Sequence, residues 1–70
     1  MPDIAERLRV GMMVSDVNGF PVGEVLDVRR ESFRVAVDGL DHWVSSGAVF
    51  NVGRSVHLLC NAESVSRYFL

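Results

Sequence analysis

Apolar and polar residues alternate along short stretches of this chain, and the alternation predicts strands rather than helices. In the clearest stretch, Phe33, Val35 and Val37 are separated by an arginine and an alanine. A period of two places these three side chains on one face of a half-buried strand. Stretches of similar character predict further strands at residues 10–15, 21–29, 42–45 and 56–60. The apolar segment 48–50 fits either a short strand or a 3₁₀ turn.

A turn followed by a long strand organises the first half of the chain. Asn18 and Gly19 form a dipeptide that accepts positive φ at low cost, and together with Asp16 they predict a tight hairpin turn. Gly23 then lies inside the second strand, where glycine commonly marks a bulge, a sharp bend or a close backbone approach. A turn and a bent strand allow a short chain to curl a sheet onto itself.

The two ends of the chain are expected to lie outside the sheet. Residues 1–9 predict an N-terminal arm or a short helical turn. Residues 61–70 predict a C-terminal helix, because Asn61 is a good N-cap residue and Val65 and Phe69 are four positions apart. We therefore expect one mainly β domain over residues 1–70. It would be a small barrel or roll of five or so strongly bent antiparallel strands, with a short C-terminal helix.

Length and composition restrict the class of protein. The chain has 70 residues, and a domain of this size buries only about 60% of the surface that its unfolded form exposes. The formal net charge of −2 disfavours a nucleic-acid partner, because binding phosphates requires excess positive charge. The apolar runs are too short for membrane insertion, and we find one cysteine and no signal peptide. We expect a cytoplasmic protein.

Two groups of residues resemble the PRC-barrel family. They are Gly11-Met12-Met13-Val14 with Asp16-x-x-Gly19-x-x-Val22-Gly23-x-Val25-x-Asp27-Val28, and His42-Trp43-Val44-Ser45 with Val56-His57-Leu58. The second group is similar to a small free-standing bacterial subgroup of unknown function. The resemblance implies a small, strongly bent β-barrel that docks to other proteins and has no shared catalytic site. Such a fold does not by itself define a function.

No group of residues in the sequence has the spacing of a known catalytic or metal site. The soft metal ligands are His42, His57 and Cys60, and on one strand His57 and Cys60 would point to opposite faces. A nucleophile–base pair of His42 with Ser45 or Ser46 would lack an orienting acid and oxyanion donors at a recognisable spacing. We therefore expect no enzyme activity, no cofactor and no bound metal.

The aromatic residues indicate a contact surface. Large rings are numerous for so small a core, and exposed rings often dominate interfaces. The candidate contact residues are Trp43, Tyr68, Phe69 and Leu70. We expect a homo-oligomer, most simply a dimer, or a larger protein partner. The C-terminal helix would cover either its own barrel or a neighbour's.

Two alternatives to a protein-interaction module stay open at this point. One is an RNA- or ribosome-associated adaptor that uses Arg29, Arg30 and Arg34, although acidic residues lie among these arginines. The other is a small-molecule or metal binder at an oligomer interface.

Overall fold

A computed structural model describes residues 4–70, in which six strands form one mixed sheet that curls into a half-barrel. The strands are β1 (Met13–Ser15), β2 (Pro21–Val28), β3 (Ser32–Val37), β4 (Leu40–Ser45), β5 (Val49–Val52) and β6 (Val56–Leu58). A helical turn α1 (Ile4–Arg7) precedes them, and 3₁₀ turns lie at Ser46–Ala48 and Val65–Tyr68. Within this part of the chain, no helix has the length and apolar character needed to cross a bilayer.

The mainly β class is confirmed, and six strands agree with the prediction of five or so, but the prediction that all of them are antiparallel is wrong. The strand order is β4-β3-β2-β1-β6-β5, and β1 pairs with β6 in parallel through Val14 and Val56. The β5–β6 hairpin joins the free side of β1, because β2 already occupies the other side. Segment 48–50 combines the two expected forms, since the 3₁₀ turn ends at Ala48 and β5 begins at Val49.

Two hairpin turns owe their geometry to glycine at positive φ. In the β1–β2 turn, the Gly19 N–H donates to the Asp16 carbonyl, and Gly19 has a φ of 84°. In the β3–β4 turn, Asp38 and Gly39 both have positive φ, at 52° and 79°. Two consecutive residues of this kind form the tightest hairpin connection. For this reason β4 begins at Leu40 rather than at residue 42.

Strand β2 bends through two irregularities that make it follow the curved sheet. Its pairing with β1 shifts by one residue at Val22, and its pairing with β3 shifts at Leu26. Gly23 lies between these two positions, at a point where the backbone of β3 comes very close to that of β2. A Cβ atom added there would overlap the Ala36 carbonyl oxygen and lie 2.9 Å from the Val35 Cγ1 atom. Glycine is therefore required at this position by a close backbone approach.

The core lies on the concave face of the sheet. Strands β1 to β4 contribute the buried side chains Val14, Val25, Phe33, Val35 and Val44. The other buried apolar residues are Leu8, Ala48, Val49, Val52, Val56, Leu58 and Val65. Phe33 is the largest of the fully buried side chains, so we expect it to contribute most to the core.

The predicted C-terminal helix is wrong in kind, because the segment contains only the 3₁₀ turn Val65–Tyr68. Asn61 still caps the start of this segment, since its side-chain oxygen accepts from the Ser64 N–H at 2.9 Å. The backbone of Phe69 is extended and forms a bridge to Val44 in β4. So short a helix gains little stability on its own, so pairing with the β4 edge prevails over helix formation.

Candidate functional site

A groove of about 600 Å³ lies between the β1–β2 turn and the β5–β6 hairpin. We call it the Phe50 groove. Its lining residues are Asp16, Val17, Asn18, Gly19, Phe50, Asn51, His57, Leu58 and Leu59. The turn forms one wall and the hairpin the other, because the parallel β1–β6 pairing brings these two distant segments together.

Three apolar side chains along the Phe50 groove are exposed to solvent. Phe50 is 74% exposed, Val17 is 58% exposed and Leu59 is 47% exposed. The pairing of β5 with β6 shifts at Phe50, so this residue is an extra residue without a partner of its own on β6. Clusters of exposed apolar residues on a small protein mark places where another molecule binds.

Polar groups in the Phe50 groove are few, and the formally charged residue in its lining is Asp16. Asn18 lies on the turn, while Asn51 and His57 are paired across β5 and β6. The His57 Nε2 atom lies 3.3 Å from the Ser55 hydroxyl oxygen. Among residues 4–70, no carboxylate is hydrogen-bonded to the other ring nitrogen of His57. This pair fixes the ring at the groove and does not form a catalytic triad.

Asp16 holds the turn wall of the groove in place. One oxygen of its buried carboxylate accepts from the N–H groups of Asn18 and Phe20, both at 2.9 Å. The other oxygen accepts from the Ala62 N–H at 3.1 Å, which ties the turn to the segment after β6. Burial raises the pKa of Asp16, but the N–H groups of Phe20, Ala62, Asn18 and Gly19 outweigh it, so the pKa lies below its usual value.

The second concavity, of about 330 Å³, lies on the other side of the same turn. Its lining includes Phe20, Asn61 and Glu63 in addition to Asp16 and Asn18. Asp16 therefore borders both concavities, but its two oxygens are occupied by backbone N–H groups of its own chain. Its role is to position the turn, rather than to bind a ligand.

The soft metal ligands are dispersed in the fold. His42 stacks on Phe69, with ring centroids 4.0 Å apart, while His57 lies at the Phe50 groove. Cys60 is half-buried; burial raises the pKa of its thiol, and the nearby Asp16 charge raises it further. Within residues 4–70, no three His, Cys, Asp or Glu side chains converge as a metal site would require.

The predicted contact residues Trp43, Tyr68, Phe69 and Leu70 lie together at the β4 edge, on the opposite side of the sheet from β5. The Leu70 N–H donates to the Trp43 carbonyl at 2.8 Å, and Tyr68 and Phe69 pack against the core. The C-terminal residues thus cover the β4 edge of their own chain, and Leu70 stays 78% exposed. Their role in binding a partner stays a prediction.

Two of the three arginines in the predicted RNA-binding group lie against Trp43. The guanidinium carbons of Arg29 and Arg34 are 4.1 Å and 5.8 Å from the centre of its ring. These distances are those of cation–π contacts, which hold the arginines to the protein itself. Arg30 is exposed beyond the end of β2. The structure therefore does not gather all three arginines into one phosphate-binding surface.

The sequence interpretation missed the Phe50 groove. Phe50 follows Ala48 and Val49 in an apolar run, for which the sequence predicted only a short strand or a 3₁₀ turn. The bulge in β5 turns Phe50 outwards while Val49 and Val52 stay buried. Val17 and Leu59 are 42 positions apart in the sequence, and only the β1–β6 pairing brings them to one groove. No local pattern could have identified that juxtaposition.

Comparison with protein-family models and with curated proteins finds no match for this chain.

Proposed function

We propose that this chain is a non-catalytic protein-interaction or assembly module, a small PRC-barrel-like domain that binds another protein through the Phe50 groove. The observation that carries the proposal is the exposed trio of Phe50, Val17 and Leu59 along one concavity. Burying apolar surface gains about 25 cal/mol per Å², so a partner that covers these side chains gains affinity from them. Exposed aromatic side chains at such positions commonly dominate binding energy.

The polar groups of the groove suit recognition of a protein. Asn18 and Asn51 each offer a donor and an acceptor, and among residues 4–70 the strand beside them, β5, pairs with another strand on one side only. A protein partner can use both features, because it presents backbone N–H and C=O groups as well as apolar side chains. The raised pKa of Cys60 leaves its thiol protonated at neutral pH, which makes it a poor nucleophile.

We further propose that the β4 edge is a second, smaller contact surface, formed by Trp43 and Leu70 with Tyr68 and Phe69 beneath them. Leu70 is the exposed member of this group. Its backbone N–H is already bonded to β4, so a partner would meet side chains there rather than a free strand edge. The adaptor alternative has less support, because Arg29 and Arg34 are held against Trp43.

Affinity capture from an extract of the source organism, with stoichiometry measured, tests the proposed function. Capture by the wild-type chain is compared with capture by Phe50→Ser and by Leu40→Ser. Further copies of the chain itself are counted among the captured proteins. Leu40 is the matched control, because it is 65% exposed but lies at the β3–β4 turn. We expect stoichiometric capture that Phe50→Ser abolishes and Leu40→Ser preserves. Capture that both variants retain equally would remove the Phe50 groove as the binding surface.

A further inference from the structure

Asn18 is the asparagine of this chain that a glycine follows, whereas Asn51 and Asn61 precede valine and alanine. Asparagine is a chemically labile residue. Its side-chain amide loses ammonia when the backbone nitrogen of the next residue attacks the side-chain carbonyl carbon, and a Cβ atom on that next residue hinders the attack. Gly19 has no Cβ atom. Asn18 is therefore the asparagine whose neighbour leaves its amide open to this reaction.

The surroundings of the three asparagines differ in the same sense. All three are exposed. Asn51 lies within β5, where it pairs with His57, and the Asn61 side-chain oxygen accepts from the Ser64 N–H at 2.9 Å. Asn18 lies on a turn and is held by its backbone N–H, which donates to the Asp16 carboxylate at 2.9 Å. The turn is therefore the place where an asparagine and its neighbour change conformation with the least loss of structure.

Hydrogen bonds to Asp16 hold the attacking nitrogen while the turn is closed. The Gly19 N–H donates to the Asp16 carbonyl at 3.0 Å. The Phe20 N–H donates to the same carboxylate oxygen that accepts from Asn18, at 2.9 Å. The Gly19 nitrogen reaches the Asn18 side chain only when these bonds open. Exposed turns open locally far more often than a whole domain unfolds, so the folded chain reacts slowly rather than not at all.

We propose that Asn18 is a site of spontaneous deamidation, with water as the co-reactant. When the turn opens, the Gly19 backbone nitrogen loses its proton to a base in solution and attacks the Asn18 Cγ atom. The bond from Cγ to the side-chain nitrogen breaks, and that nitrogen takes up a proton and leaves as ammonia. Water then adds to one of the two carbonyl carbons of the resulting succinimide and opens the ring. Aspartate or isoaspartate remains at position 18, and no group is oxidised or reduced.

Both products change the wall that the two concavities share. Asn18 lines both of them, and the carboxylates already present there are Asp16 and, in the second concavity, Glu63. The reaction replaces a neutral amide with a further negative charge. Isoaspartate also lengthens the backbone by one carbon atom within the turn, where the Asp16 N–H donates to the Phe20 carbonyl at 2.8 Å. The modification therefore alters the Phe50 groove in charge and, for isoaspartate, in shape.

Timed incubation of the folded chain in mildly alkaline buffer, followed by peptide mapping with mass spectrometry, tests the proposal. We expect position 18 to convert to a mixture of aspartate and isoaspartate while Asn51 and Asn61 keep their amides. The same incubation in concentrated urea gives the rate without the turn. Conversion there should be about tenfold to a hundredfold faster, the factor expected from opening two or three hydrogen bonds.

Two variants distinguish this chemistry from simple exposure of a surface amide. Gly19→Ala strains the turn, because φ is 84° at this position, but it places a Cβ atom beside the attacking nitrogen. Conversion should therefore slow in the folded chain and in urea. Asp16→Ala removes the acceptor of the Asn18 and Phe20 N–H groups. It should speed conversion in the folded chain, with folding confirmed by circular dichroism, and leave the rate in urea unchanged.

An Asn18 side chain that keeps its amide in the folded chain, equal conversion at all three asparagines, or a rate that Gly19→Ala leaves unchanged would each overturn the inference. A folded-state rate that Asp16→Ala leaves at the wild-type value would overturn the protection by the turn. Each of these results concerns the chain without a partner. The capture comparison of Phe50→Ser with Leu40→Ser, made on freshly purified protein, tests the proposed function independently.

Discussion

Gly23→Ala is the substitution that the structure constrains most sharply. The added Cβ would overlap the carbonyl oxygen of Ala36, and it would lie 2.9 Å from a side-chain carbon of Val35 and 3.1 Å from the Ala36 carbonyl carbon. The Ala36 atoms belong to the backbone of β3, so they cannot move aside as the end of a flexible side chain can. Either β2 and β3 separate, or β2 changes its bend.

The cost of this substitution follows from two contributions. Forcing one extra methyl group into a packed site costs about 1–3 kcal/mol, and each hydrogen bond lost from a strand ladder costs about 1 kcal/mol more. We expect a total of about 3 kcal/mol. A chain of this length has a free energy of unfolding of about 4–10 kcal/mol, so Gly23→Ala removes a large share. The melting temperature should fall by about 12–24 °C.

Two matched substitutions distinguish the steric overlap expected at Gly23 from the backbone strain of a residue at positive φ. Gly53 is exposed, its φ is not positive, and a Cβ there would meet nothing within 4 Å, so Gly53→Ala should change stability by less than about 1 kcal/mol. Gly19 also has open space but a φ of 84°, so Gly19→Ala should cost about 1 kcal/mol. Urea and thermal unfolding followed by circular dichroism and the fluorescence of Trp43 measure all three. A Gly23→Ala protein as stable as Gly53→Ala would refute the close backbone approach.

Three further substitutions test the carboxylate, the core and the C-terminal contact. Because the folded-state pKa of Asp16 is lowered, its stabilising contribution is complete above the unfolded pKa of about 3.9 and is lost as the pH falls through the folded-state value. Asp16→Asn should therefore lower stability at neutral pH and flatten its decline in acid, as measured by urea unfolding across that pH range. Phe33→Ala should cost about 3–5 kcal/mol in the same measurement, and a loss below 1 kcal/mol would contradict full burial of the ring. Phe69→Ala removes the stacked contact with His42 and should cost about 1–2 kcal/mol; unchanged exchange rates for the amide hydrogens of β4 would show that this contact is absent in solution.

The strand pattern was predictable where local chemistry decides the structure. The alternation of Phe33, Val35 and Val37 correctly predicted strand β3 and the face of it that points to the core. Alternate side chains of a strand lie on the same face, so a period of two identifies the buried face directly. The sequence also indicated a special role for Gly23, with a bulge, a sharp bend or a close backbone approach as the possible reasons. The packing of β3 against this position selects the close backbone approach. The turn before β4 was predicted less well, because the strand expected from residue 42 begins at Leu40, directly after Asp38 and Gly39.

Long-range pairing was not predictable from the sequence. Nothing local to β1 and β6 indicates that they run parallel, because Val14 and Val56 are far apart in the sequence and the direction of pairing depends on the path of the chain between them. The C-terminal segment has helical spacing at Val65 and Phe69, but contact with β4 outweighs that weak preference. The Phe50 groove depends on both the parallel pairing and the bulge in β5, and so it follows from the fold as a whole.

The most direct test of the Phe50 groove as a contact surface is a titration with the captured protein followed by backbone amide chemical shifts. Spectra of the isotope-labelled chain are compared with and without that protein, and Phe50→Ser serves as the reference. We predict that the shifts concentrate at Val17, Phe50 and Leu59 and vanish in the variant. Shifts confined to the β4 edge around Trp43 and Leu70, or spectra that do not change on addition, would contradict this account.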